Sequence, residues 1–248
     1  MLSGFRAFTI THNEVKAGNL AHFVLDKSVQ ESTLNNLKQD CGIDELLYLS
    51  TCNRVLFLIY MDPLKSLNKE AFFKSFNPNI DKDLLVHVKA YKGQESIKHL
   101  FRVAASLDSM VVGEREIFRQ LRESYTESKE NGLSGDNIRL AMRFCVESSK
   151  AIYAQTKIGE KKVSVVSLAV EQFNKYNINP DSNIVLVGAG QTIELVSKFL
   201  TKLKYHNILV FNRNPEKAEE IANRFSNGSG HSLTELESFD KPFDAMFV

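Results

Sequence analysis

The chain has few cysteines, Cys41, Cys52 and Cys145, and no two of them form a CxxC pair. Three are too few for a disulfide framework, so reduced thiols are expected. None of the six histidines stands at ligand spacing from a cysteine, so the sequence offers no zinc site. An excess of one charge is lacking as well, since 31 Lys and Arg against 30 Asp and Glu leave a formal net charge of +1. That balance excludes a globally basic nucleic-acid binder and leaves only local patches to hold any nucleic acid. No window carries about 18 uninterrupted apolar residues. The N-terminal Met1-Leu2-Ser3-Gly4-Phe5-Arg6 also lacks a charged region followed by an apolar one. A cytoplasmic protein with no membrane partner is expected.

With 43% hydrophobic and 25% charged residues over 248 positions, the composition is that of a globular protein, and the length favours two domains. Phe5-Arg6-Ala7-Phe8-Thr9-Ile10 alternates with period two, a helical stretch covers about residues 31–39, and Leu84-Leu85-Val86-His87-Val88-Lys89-Ala90-Tyr91 reads as a strand after the Asn77-Pro78-Asn79 turn. Together with the two apolar runs 46–49 and 55–60, these predict a small α+β sandwich of mostly antiparallel strands. From Gln94 the pattern is helical for about eighty residues, with stripes Ile97, Leu100, Phe101, Ala104, then Ile117, Leu121, Tyr125, then Ile138, Met142, Cys145, Ile152. Ser134 or Asp136 can cap the third helix. Cys145 lies on an apolar stripe and is assigned to packing, as is Cys41 beside Gly42.

A second fold starts near Asp181. Asn183-Ile184-Val185-Leu186-Val187 runs into Gly188-Ala189-Gly190, a helix follows to about Lys204, then the strand Asn207-Ile208-Leu209-Val210-Phe211, then a helix from Asn214-Pro215 to about Arg224. This is a βαβ unit. Phe243-Asp244-Ala245-Met246-Phe247-Val248 reads as a further strand in which the chain stops, so a fragment of a longer protein is expected.

Three segments carry chemistry. Ser50-Thr51-Cys52-Asn53-Arg54 joins two β-forming runs and places a thiol at a sheet edge, with an arginine two residues on to favour the thiolate. The other reading of Cys52 is a small buried hydrophobe. Gly188-Ala189-Gly190 fits a turn whose backbone N–H groups receive a pyrophosphate at a helix N-terminus, although Ile193 stands where a third glycine is usual; a tight turn without a ligand is the alternative. Arg213, after the second strand, favours a 2′-phosphate and hence NADP, or is a solvated surface arginine. The segment from His99 to Glu114 packs His99, Arg102, Asp108, Ser109 and Glu114 around short apolar patches. The charges on Glu114, Arg115, Glu116, Arg119, Arg122 and Glu123 also suit a plain solvated helix face.

Taken together, Ser50-Thr51-Cys52-Asn53-Arg54, Leu107-Asp108-Ser109-Met110-Val111-Val112-Gly113-Glu114 with Gln120, Val163-Ser164-Val165-Val166-Ser167, and Gly188-Ala189-Gly190 with Asn212-Arg213 resemble the glutamyl-tRNA reductase family in order and spacing. The chain departs from the family's commoner pattern at Arg115-Glu116, where Pro-Gln is frequent, and at Gln191, where Glu is frequent.

The resemblance implies NADPH-dependent reduction of glutamyl-tRNA(Glu) to glutamate-1-semialdehyde, the first step of five-carbon tetrapyrrole synthesis. It implies a Cys52 thioester, Arg54 gripping a carboxylate, and Thr51, Asn53, Ser109, Glu114, Arg115, Glu116 and Gln120 around the substrate. His99 is implied as acid or base, or as a purely structural histidine. Gly188, Ala189, Gly190, Gln191, Thr192, Ile193 and Arg213 are implied to hold NADPH. The implied architecture is an α+β catalytic domain over 1–158, including a long connecting helix near 134–159, and an incomplete α/β Rossmann-like NADPH domain over 159–248. A C-terminal domain that would make a homodimer is expected to be missing, and glutamate-1-semialdehyde aminomutase is a further expected partner. Two alternatives remain: a shikimate-dehydrogenase-like NADP oxidoreductase with no covalent step, and a non-enzymatic nucleotide- or tRNA-binding module.

Overall fold

Strands that are apolar on both sides need cover on both faces. In the computed structural model, which describes residues 2–109, 111–159 and 165–248, the first of two units supplies that cover. Its sheet runs in the order β2 (Glu45–Ser50), β3 (Arg54–Tyr60), β1 (Phe5–Thr11), β4 (Lys89–Lys92), with every neighbouring pair antiparallel. β1 is buried at all seven positions. On one face Phe8, Ile10, Tyr48, Phe57 and Ile59 pack against α2 (Lys27–Asp40) and α3 (Lys69–Phe76). The Phe57 ring stands edge-on to Phe72 and Phe76 at 5.2 and 5.0 Å, a preferred arrangement of aromatic quadrupoles. On the other face Ala7, Leu47, Leu49, Leu56 and Leu58 meet α5 (Gln94–Ala104), α6 (Glu116–Glu130) and α7 (Asp136–Gln155). Two short helices, α1 (Ala17–Leu20) and α4 (Lys82–Leu85), complete the unit.

Three expectations are corrected here. The run from Leu84 to Tyr91 is not one strand, because the Asp81 carboxylate accepts the Asp83 N–H at 3.0 Å and opens α4, leaving only Lys89–Lys92 to pair with β1. The helix expected at 31–39 starts four residues earlier, at Lys27. The third long helix is capped by neither Ser134 nor Asp136. Its N-cap is Gly135, and the cap is the buried Glu45 carboxylate of β2, which accepts from the N–H groups of Gly135, Asn137 and Ile138 at 2.9, 3.0 and 2.8 Å. Cys145 is buried in the helical face as expected, with burial pushing its thiol up to about 12.

The second unit holds α8 (Val165–Asn174), β5 (Asn183–Val187), α9 (Gln191–Lys202), β6 (Asn207–Asn212), α10 (Pro215–Ala222), β7 (Asn227–Ser232) and β8 (Ala245–Phe247). Its four strands are parallel in the order β7-β6-β5-β8, the doubly wound arrangement of a Rossmann-like domain. Ile184, Leu186, Ile208 and Val210 pack with Val170, Phe173, Val196, Leu200 and Ile221. The polar sequence of β7, Asn-Gly-Ser-Gly-His-Ser, carries no strand signal. Its glycines have a packing reason: a Cβ on Gly228 would lie 2.0 Å from the Ala222 carbonyl oxygen, and one on Gly230 would lie 2.3 Å from the Glu219 nitrogen. In the Val163-Ser164-Val165-Val166-Ser167 motif, Val163 and Ser164 lie outside the described residues, as does Met110.

Candidate active site

β2 and β3 form a hairpin whose turn is the polar pentapeptide. Thr51 closes it, its N–H donating to the Arg54 carbonyl at 2.8 Å and its hydroxyl accepting from the Asn53 N–H at 3.3 Å. The Cys52 thiol projects from this turn and is exposed, so it is not the buried hydrophobe of the alternative reading. The turn is tied to the end of β1, where the His12 N–H donates to the Asn53 carbonyl at 3.1 Å and Thr11 faces Arg54 in register.

Arg54 leads from the turn into a cavity of about 590 Å³ lined by β1, β4, α5 and the loop after α5, with Ser109 and His99 on its wall. The Arg54 side chain is 5% exposed and one guanidinium nitrogen donates to the Asp108 carbonyl. Burial lowers its pKa, opposed by the charges of Asp108 and Glu14. The Asp108 carboxylate in turn accepts from Arg102 Nη2 at 2.6 Å and Nε at 3.1 Å, and stays below the ordinary carboxylate range because these bonds outweigh the upward push of burial. His99 is 7% exposed, stacked on Tyr91 with centroids 4.6 Å apart, and its Nδ1 lies 3.5 Å from Asp108 Oδ2. Burial, then the neighbouring Arg54 charge, pushes its pKa down to about 4, so the ring is neutral at neutral pH.

The loop after α5 is held at several points. Ser106 is fully buried with φ +60°, and Gly113 has φ +90°, where a Cβ would lie 2.2 Å from the Ile158 carbonyl oxygen. The Tyr153 hydroxyl donates to the Glu114 carbonyl at 3.5 Å, and the Arg115 guanidinium sits 5.2 Å from the centre of the Tyr153 ring. Of the residues singled out in the sequence, Arg54, His99, Arg102, Asp108 and Ser109 share the cavity wall, and Thr51, Cys52 and Asn53 form the turn that precedes Arg54. Glu114, Arg115, Glu116 and Gln120 are not among the lining residues; Glu116 pairs with Arg119 and accepts from Gln120 Nε2 at 3.2 Å. Glu14, Lys89 and Tyr91 line the cavity without having been singled out as site residues. Only the Thr11-x-x-Glu14 spacing signals Glu14, as a residue able to bond back to a strand end.

In the second unit, Gly188 has φ +103° and Gly190 is the N-cap of α9, with no side-chain cap and nothing within 4 Å of a Cβ placed there. A glycine turn that runs into a helix N-terminus suits the pyrophosphate of a dinucleotide. Gln191 and Thr192 are exposed on the first turn of α9, Ile193 is buried in the core, and Arg213 is exposed just past β6. That arginine suits a 2′-phosphate. Among the described residues no group of three or more His, Cys, Asp or Glu is placed to hold a metal ion, and no helix is long and apolar enough to cross a membrane.

Two family models match the chain. Residues 8–156 match the glutamyl-tRNA(Glu) reductase N-terminal domain, and residues 167–248 match shikimate/quinate 5-dehydrogenase. A glutamyl-tRNA reductase of Desulfotalea psychrophila is 35% identical over 83% of this chain and 49% of its own length. One from Sulfurisphaera tokodaii is 36% identical over 73% of this chain and 44% of its own. The solved structure of glutamyl-tRNA reductase from Methanopyrus kandleri superposes with a TM-score of 0.61 at 26% identity, covering 94% of this chain and 55% of that one. The chain thus spans about half the length of the curated relatives it matches. With more than half of its residues matched by that N-terminal domain, the chain belongs to the glutamyl-tRNA reductase family.

Proposed function

We propose that this chain carries the acylation chemistry and nucleotide site of an NADPH-dependent reduction of glutamyl-tRNA to glutamate-1-semialdehyde. The observation that carries the reading is an exposed Cys52 thiol on a turn that passes directly into buried Arg54 at a cavity wall. In the proposed step the Cys52 sulfur attacks the ester carbonyl. The C–S bond forms, the C–O bond to the tRNA 3′ end breaks, and the proton shed by the thiol passes to the leaving oxygen. In this reading His99, on the cavity wall and neutral at rest, carries that proton only in passing between sulfur and leaving oxygen. Arg54 grips the side-chain carboxylate of the glutamyl group, and Thr51, Asn53 and Ser109 provide polar contacts. Glu114, Arg115, Glu116 and Gln120 contribute through the loop and helix start that support Ser109. The Gly188-Ala189-Gly190 turn, the first turn of α9 and Arg213 suit NADPH, which when bound supplies the hydride that turns the thioester into the aldehyde.

The match of residues 167–248 to a shikimate/quinate dehydrogenase model favours a second reading, a carbonyl reductase with no covalent step. That reading leaves Cys52 without a role, and one experiment separates the two. After incubation with glutamyl-tRNA and no NADPH, intact-mass measurement should find one glutamyl group on Cys52, and Cys52→Ser should abolish it. A folded chain that gains no mass, or a serine variant that gains as much, refutes the covalent reading.

A further inference from the structure

The cavity wall carries a charged pair that the acylation chemistry leaves unused. Glu14 sits in the turn after β1, where its Oε2 accepts from both the N–H and the hydroxyl of Thr11, at 2.9 and 2.5 Å. Its Oε1 receives the Lys89 ammonium at 2.5 Å. Burial pushes this carboxyl up, but the hydrogen bonds from Lys89 and Thr11 outweigh that and keep it below the ordinary range, so it is ionised at neutral pH.

The two partners are not equivalent. Thr11 belongs to the central strand and holds Glu14 in one place, whereas the Lys89 side chain comes from the edge strand β4 and is 56% exposed. An ion pair with one arm in water is held weakly, so Lys89 can leave Oε1 at little cost. Glu14 also belongs to the reacting end of the sheet. Its anchor Thr11 faces Arg54 in register, and the next residue, His12, is hydrogen-bonded to the Cys52 turn through Asn53. A fixed carboxylate that already holds one primary ammonium, with a buried guanidinium across the register from its anchor, is a complementary pair for an α-amino acid with an acidic side chain. Such a substrate offers an ammonium next to the reacting carbonyl and a carboxylate at its far end.

Resting on the reaction proposed above, we infer that Glu14 selects for the free α-ammonium of the aminoacyl group, which replaces the Lys89 ammonium on Oε1. Glu14 is then a specificity-determining residue, and Lys89 marks the place that the substrate's ammonium takes. An α-N-blocked substrate has no cation to offer and is rejected.

The test compares the rate of Cys52 acylation by glutamyl-tRNA and by N-acetylglutamyl-tRNA at limiting concentration, without NADPH. The present chain should favour the free amine by about tenfold or more, the usual worth of a hydrogen-bonded charge pair. Glu14→Gln keeps an oxygen for Thr11 but loses the charge, and the preference should fall to within about threefold of unity. Lys89→Met should widen the preference, lowering the half-saturating concentration of glutamyl-tRNA but not that of the acetylated substrate. A folded Glu14→Gln chain that still discriminates overturns the inference. So does a Lys89→Met chain that loses discrimination or changes both substrates alike, and this arm decides if Glu14→Gln does not fold. A present chain that forms no adduct with glutamyl-tRNA refutes the reaction itself and this inference with it, whereas an adduct with undiminished discrimination in Glu14→Gln refutes this inference alone.

Discussion

Replacing Glu45 by alanine tests the architecture behind the site, because this one carboxylate joins the sheet to the helix that closes its second face. It accepts from Gly135, Asn137 and Ile138 N–H groups and from Asn137 Nδ2 at 2.7 Å. Gly135 is exposed and Asn137 half-buried, so water can replace the carboxylate at those two, but the Ile138 N–H is left buried without a partner. A stranded buried donor costs about 1–3 kcal/mol. Loss of a negative charge at a helix N-terminus adds about 0.3–2 kcal/mol. Because such losses overlap, the expected total is about 2–4 kcal/mol. The chain has two units, so a single unfolding curve need not be two-state, and the reading belongs at the helix itself. Hydrogen exchange at the Ile138 amide should speed up roughly 30- to 900-fold, taking about 1.4 kcal/mol per decade. Glu45→Gln, which keeps one acceptor but turns an amide N–H toward donors, should fall between the wild type and alanine. Unchanged exchange at Ile138 in the alanine variant would show that the cap contributes nothing and that α7 is held by its apolar stripe alone.

Two further outcomes follow from the loop and the buried histidine. Gly113→Ala puts a Cβ against the Ile158 carbonyl, a backbone atom that cannot turn aside, at a φ that disfavours a side chain by about 1–3 kcal/mol, so the loop carrying Ser109 should shift. Cys52 acylation should slow by roughly tenfold or more, with an unchanged rate and melting temperature sinking the idea. His99 has a depressed pKa, so below pH 6.5 the unfolded chain takes up a proton that the folded one refuses, and stability falls until pH reaches about 4. Between pH 7 and 5 this costs about 2 kcal/mol. His99→Phe, which keeps a ring to stack on Tyr91, should flatten that loss in urea titrations at the two pH values, and an unaltered acid loss would rule His99 out as its source.

The sequence reveals whatever depends on neighbouring residues. The runs around Cys52 are apolar at almost every position, and they are strands because both faces of their sheet are covered; that continuity marks them without showing which helix lies on which face. The glycine turn before α9 and the Asn214 cap of α10 are equally local and stand where they were expected. Features set by distant partners are hidden. β7 looks like a loop because its glycines answer to the backbone of α10, and the cap of α7 is supplied from about ninety residues upstream.

The same distinction runs through the site. Cys52 and Arg54 were visible because the turn that presents one leads straight into the other. Glu14 and Lys89 were not, because they meet only through the register of β1, where Thr9 faces Lys89 on one side and Thr11 faces Arg54 on the other. Slipping that register by one residue would turn every inward side chain of β1 to the opposite face, and strands buried on both faces tolerate no such slip. The apolar packing of β1 therefore does more than stabilise the sheet. By fixing Thr9 and Thr11 it fixes which backbone positions of β3 and β4 stand beside them, and so places Arg54 and the root of Lys89 on either side of the strand end that holds Glu14.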